Sequence, residues 1–211
     1  MTRFHGAAVL HENCLMAWQS REKERCQYGL VFDLGTSTLV GKLISLLDGG
    51  EAGVVSCLNS QSKYGTNVIS RLQHVKEHKD GLRSLHHLLI NDLNQLTARL
   101  LNACGLSPDD IFVAIAAGNT TMQHFLLNLN PSGIATAPFS PVLTDGLIVK
   151  AADVGLELHP ETLFYVMPAK SGYIGGDLIS GILASGACEQ EDDCLLYTSA
   201  AADELDGVDL G

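Results

Sequence analysis

Hydrophobic spacing along the chain changes character several times. Residues 1–27 show no sustained period and carry the charged stretch Arg21-Glu-Lys-Glu-Arg25, so they read as a leader or linker remnant. Tyr28 to Asp33 is a short apolar run ending on a carboxylate, and Gly35-Thr-Ser-Thr38 is a tight turn. Leu39 to Leu47 predicts a second strand, Asp48-Gly-Gly50 a hairpin turn, and Glu51 to Leu58 a third strand. Asn59 to Gly65 is a polar loop, and residues 67–78 predict a short helix. Leu85, Leu88, Leu89, Leu93, Leu96, Leu100 and Leu101 then recur at the three-and-four spacing of a long amphipathic helix over 81–104, with Gly105 as its stop. Ile111 to Ala117 is apolar throughout, as in a strand covered on both faces. Gly118-Asn-Thr-Thr121 opens a helix predicted to run through Leu129. Residues 131–160, with Pro131, Pro138, Pro141 and Pro160, read as an irregular insertion. Leu163 to Met167 predicts a fifth strand, and Gly172 to Gly186 a final helix with small residues along one side.

The resulting order is β-β-β-α-β-α-β-α. A meander followed by alternating units is the ribonuclease-H-like layout, an α/β fold with a mixed five-stranded sheet flanked by helices. Ligands in such sheets bind at strand carboxyl ends and helix amino ends.

Composition narrows the function classes. The chain has 211 residues and 46% hydrophobic against 18% charged side chains, enough for a real core. Its net charge of −11 argues against non-specific nucleic-acid binding. Eight of those eleven charges lie beyond Cys188, where no Lys or Arg occurs, so the body is nearly neutral. Residues 191–211 therefore read as the start of a second lobe or a non-native, disordered tail. No apolar run approaches the ~20 residues of a membrane helix, and the N-terminus does not read as a secretory signal. A cytoplasmic protein is the expectation. Six scattered cysteines form no C-x-x-C pair, which predicts reduced thiols.

Three constellations fall at the predicted strand and helix ends. Asp33-Leu-Gly-Thr-Ser-Thr38 offers a carboxylate suited to Mg²⁺, a glycine, and hydroxyls beside backbone N–H groups suited to phosphate oxygens; a plain hairpin turn is the alternative. In Gly118-Asn-Thr-Thr121, Asn119 or Thr120 can position a water or a phosphate oxygen, or simply cap the helix. In Ser171-Gly-Tyr-Ile-Gly-Gly-Asp177, Gly175 and Gly176 permit close approach of a backbone or ligand, and Asp177 can touch a metal or lytic water. Tight helix packing is the alternative there. The polar run Asn59 to Asn67 reads as a cleft lining, a partner surface or an ordinary loop.

Asp33-Leu-Gly-Thr-Ser-Thr38 resembles the first phosphate motif of the actin, sugar kinase and 70-kDa chaperone superfamily. Together with Asn59-Ser-Gln-Ser-Lys-Tyr-Gly-Thr-Asn-Val-Ile-Ser-Arg71, Ala117-Gly-Asn-Thr-Thr-Met122, Asn130 to Pro141 and Gly172-Tyr-Ile-Gly-Gly-Asp177, it is similar to the reductive activators of corrinoid proteins over residues 28–190. The resemblance implies an ATPase lobe that drives reduction of a corrinoid protein from Co(II) to Co(I), with a ferredoxin-type [2Fe–2S] donor. It implies that Asp33 helps hold Mg²⁺ and that Gly35, Thr36, Ser37 and Thr38 cradle the phosphates of ATP. It also implies that Gly118, Thr120, Gly175 and Gly176 line the cofactor site, with Asn119 and Asp177 as candidate catalytic groups. The ferredoxin cysteine spacing is absent, which places any cluster in a missing N-terminal domain or a separate chain. The chain is read as the first of two lobes, truncated, with little ATPase activity alone. A small-molecule kinase and a non-enzymatic actin-like interaction module stay open as alternatives, and a homodimer is a further expectation.

Overall fold

A computed structural model describes residues 6–11, 14–20 and 28–187. The predicted leader contributes two strands, β1 (Gly6–His11) and β2 (Cys14–Ser20), which pair antiparallel as a separate two-stranded sheet. The short apolar stretches within the leader lack the clean alternation that marks a strand, so the hairpin was not legible there. The expected second-lobe start or tail at 191–211 lies outside the described residues.

The main sheet contains β3 (Tyr28–Leu34), β4 (Thr38–Ser45), β5 (Glu51–Leu58), β6 (Ile111–Gly118), β7 (Leu147–Lys150) and β8 (Leu163–Val166), in the spatial order β5-β4-β3-β6-β8-β7. The meander is antiparallel, whereas β3–β6 and β6–β8 are parallel. The expectation of an α/β lobe with a mixed sheet holds. The strand count is corrected from five to six: Leu147–Lys150, inside the supposed insertion, pairs antiparallel with β8 and forms one sheet edge. Four residues with alternating burial are too few to stand out among prolines.

The helices are α1 (Val68–Glu77), α2 (Gly81–Cys104), α3 (Thr120–Leu126), α4 (Ala151–Val154) and α5 (Gly176–Ser185). The leucine stripe of α2 buries Leu85, Leu89, Leu93, Leu96 and Leu100 against Leu30, Phe32, Leu39 and Leu43 of the sheet. Burying one such side chain contributes about 1.5–3 kcal/mol, so this helix–sheet layer is the main source of stability. Gly105 closes α2 in the left-handed conformation, φ 66°. The third helix ends three residues short of expectation because Asn128 adopts φ 53°, a conformation asparagine tolerates. The last helix starts at Gly176 rather than Gly172, since residues 171–174 form a bend closed by the Lys170 N–H donating to Ile174 O at 2.7 Å, and the cap Gly175 is extended. No helix among the described residues is long and apolar enough to cross a membrane.

Candidate functional site

The parallel pairing of β3 with β6 sets Asp33 beside Ala117 and Leu34 beside Gly118. The first and second motifs therefore leave the sheet side by side at its carboxyl end. Asn119 links them: its Nδ2 donates to Thr36 Oγ1 at 3.0 Å, while its Oδ1 accepts from the Met122 N–H at 3.0 Å and caps α3. Asn119 thus caps the helix, and its amide nitrogen holds Thr36.

The third motif docks on the second. A Cβ on Gly175 would lie 2.5 Å from Asn119 Cα and 2.6 Å from Gly118 O, so only glycine lets the start of α5 come this close. A Cβ on Gly176 would meet Gln123 Nε2 and Met167 Cβ. These glycines, with buried Gly118, act through backbone approach. Thr120 is buried and its hydroxyl donates to Ser171 O at 2.6 Å, which ties the same two segments together.

This docking brings Asp177 near Asp33. Desolvation, and then the negative charge of Asp177, raise the Asp33 carboxyl above its ordinary pKa. The Asp33 side chain keeps an open face, and its carboxylate has no hydrogen-bond partner among the described residues. Asp177 Oδ1 accepts from the Leu178 N–H at 2.7 Å. Ser37 and Thr38 are exposed at the same end. Gly35 is required by the turn itself, because a Cβ there would collide with Thr38 O.

Sequence reasoning missed the rear of the turn. Asn59, Gln61 and Arg71 are fully buried. Asn59 Nδ2 donates to Gly35 O at 3.0 Å, and Arg71 donates to Thr36 O, to Gly65 O at 3.0 Å and to Gln61 Oε1 at 2.9 Å. Gln61 Nε2 in turn reaches Leu85 O on α2 at 2.9 Å. A usable signal existed: Val68, Arg71, Leu72 and Val75 share one helical stripe, so the period of α1 points Arg71 inward. Burial pushes the Arg71 pKa down to about 10, which leaves it charged at neutral pH.

Comparisons with known proteins agree with the sequence resemblance. A family model described as the RACo middle region matches residues 28–190. The chain is 31% identical over 164 residues to the corrinoid activation enzyme RamQ of Eubacterium limosum, covering 78% of this chain and 28% of that protein. A solved reductive activator for a corrinoid, iron-sulfur protein superposes with a TM-score of 0.80 at 32% identity, covering 84% of this chain and 28% of the other. The expected actin-like lobe is consistent with that superposition. The chain thus spans little more than a quarter of the length of these relatives.

Proposed function

Because this chain belongs to the RACo middle region family, we propose that residues 28–187 form the phosphate- and Mg²⁺-binding lobe of an ATP-driven reductive activator. Its task is to drive an electron uphill onto a corrinoid protein, taking Co(II) to Co(I). The observation that carries the reading is convergence. The end of β3, the end of β6 and the start of α5 meet, which brings Asp177 close enough for its charge to act on Asp33, beside an exposed hydroxyl turn.

The donor set suits Mg²⁺. That ion keeps several waters and takes only one or two carboxylates besides the phosphates. The Asp33 carboxylate is open and has no hydrogen-bond partner among the described residues, and the repulsion between it and Asp177 is relieved by a cation between them. The described residues hold no group of three or more metal-type side chains, so a richly liganded cage is not built here. Asp33 would hold the ion directly, and Asp177 directly or through a water. Bound Mg-ATP supplies the phosphoryl group whose hydrolysis provides the driving force.

The other residues have distinct parts. Ser37 and Thr38 present hydroxyls to phosphate oxygens. Asn119 sets the position of Thr36, with both of its polar atoms engaged. Asp177 orients the lytic water, and Gly118, Thr120, Gly175 and Gly176 keep the two half-motifs in contact. Nucleotide state then biases a two-state equilibrium that a partner senses, which is a coupling free energy between two sites. The partners are a corrinoid protein and a ferredoxin-type donor.

Isothermal titration of the 211-residue chain with Mg-ATP tests this. Weak binding that requires Mg²⁺ and disappears in Asp33→Ala is expected. Binding indifferent to both Mg²⁺ and Asp33 overturns the site, and submicromolar affinity overturns the idea that this lobe supplies only half of it.

A further inference from the structure

A peptide unit is planar and trans, so each C=O points opposite to the N–H that follows it. Three consecutive carbonyls of the Gly35–Thr38 turn are held from one side by one buried cluster. Asn59 Nδ2 holds Gly35 O at 3.0 Å, Arg71 holds Thr36 O, and the Asn59 N–H holds Ser37 O at 2.9 Å. The Thr36 and Ser37 N–H groups are thereby turned away from the cluster, toward the cleft side. Neither makes a hydrogen bond among the described residues. Successive free N–H groups of this kind form an anion-binding nest.

The cluster also has an unbalanced charge. Arg71 is fully buried, and its partners are three uncharged oxygens and the Met122 Sδ at 3.3 Å. The ion pairs among the described residues are Lys42–Glu51 and Lys150–Glu161, neither of which involves it. A buried cation without a counter-ion is costly, and an anion seated on the far side of the turn offsets part of that cost.

We infer that Arg71, seated by Asn59 and Gln61, is a positioning residue for the phosphate turn: it fixes the turn's carbonyls inward, aims the Thr36 and Ser37 N–H groups at the ligand, and supplies the positive charge that favours a phosphate there. This rests on the nucleotide reading above and names the device behind it. Arg71 touches the turn and never the ligand.

The experiment is an amide-resolved NMR titration of the ¹⁵N-labelled 211-residue chain with inorganic pyrophosphate and, separately, Mg-ATP. In the wild type the Thr36 and Ser37 amides shift and saturate. In Arg71→Met, with spectral dispersion retained, affinity falls by about tenfold or more, the loss expected for one charge-assisted hydrogen bond. Arg71→Lys keeps the charge but not the fork, so it recovers part of the affinity while Thr36 and Ser37 respond less than in the wild type. If the wild-type amides respond and Arg71→Met binds equally well, the positioning role is overturned and the nucleotide reading stands. If no wild-type amide at residues 33–38 responds to either probe, the nucleotide reading fails and takes this inference with it. Should Arg71→Met not fold, the wild type still decides. Slower exchange of the Arg71 Nη2 protons, which hold Thr36 O, on adding pyrophosphate supports the role, and unchanged exchange overturns it.

Discussion

Asn119 Nδ2 donates to Thr36 Oγ1 at 3.0 Å, joining the end of β6 to the β3–β4 turn across 83 residues of sequence. The same side chain caps α3. Asn119→Ala removes both interactions and lowers stability by about 1 kcal/mol, the usual value of a lost cap. Asn119→Ser keeps a capping oxygen but is too short to reach Thr36. Its stability stays near wild type in urea denaturation while Mg-ATP binding weakens, separating the cap from the bridge.

Asp33 carries a pH signature. Its folded-state carboxyl is raised by desolvation and by Asp177, so the folded chain holds this proton to a higher pH than the unfolded chain does. Folding stability from this group therefore falls as pH rises through that window. Asp33→Asn is more stable than wild type at pH 7, and the gain vanishes as pH falls below the ordinary carboxylate range. Thermal denaturation across pH checks the sign. Added Mg²⁺ with ATP raises the wild-type melting temperature and leaves Asp33→Asn unmoved.

His124 runs the other way. It is buried, its Nδ1–H donates to Thr120 O at 2.8 Å, and its Nε2 accepts from the Val142 N–H at 3.0 Å. Desolvation lowers its pKa, so the folded state holds it neutral. Stability is full above the ordinary histidine pKa and declines as pH falls from there through the lowered folded value. Denaturation at pH 7.5 and 5.5 shows that decline in the wild type, and His124→Gln flattens it.

Two glycines of α5 and its cap make opposite predictions. Gly175→Ala drives a methyl into the backbone of Gly118–Thr120 and costs about 1–3 kcal/mol. A Cβ at Gly181 meets nothing within 4 Å. Gly181→Ala therefore stabilises the chain by about 0.5–1 kcal/mol through helix propensity. Equal effects of the two in chemical denaturation would contradict the docking of α5 on the second motif.

Much of this molecule was legible because its signals are local. The leucine spacing of α2, the Asp48–Gly50 turn and the apolar run of β6 each state their structure within a few residues. The placing of Asp33, Asn119 and Asp177 at one end of the sheet was also foreseeable, since each lies at a strand end or a helix start. Arg71 and Asn59 were not, because a polar residue in a loop or on a helix looks solvated until its partners are known. Their partners, Gly35 O and Thr36 O, lie more than twenty residues away. Leu147–Lys150 was missed for a related reason, as a short edge strand is defined by its pairing with β8 more than by its own composition.

The register that sets Leu34 opposite Gly118 has a consequence for length variation. Side chains alternate faces along a strand, so one inserted or deleted residue within β3 would swing Asp33 to the opposite face, and one within β6 would misalign Asn119 with it. The segment between α3 and β7 packs against the third motif, since a Cβ on Gly172 would lie 2.6 Å from Phe139 O and the Phe139 and Tyr173 rings meet at 5.2 Å. Related sequences are therefore expected to keep a fixed count of residues from Tyr28 to Thr38.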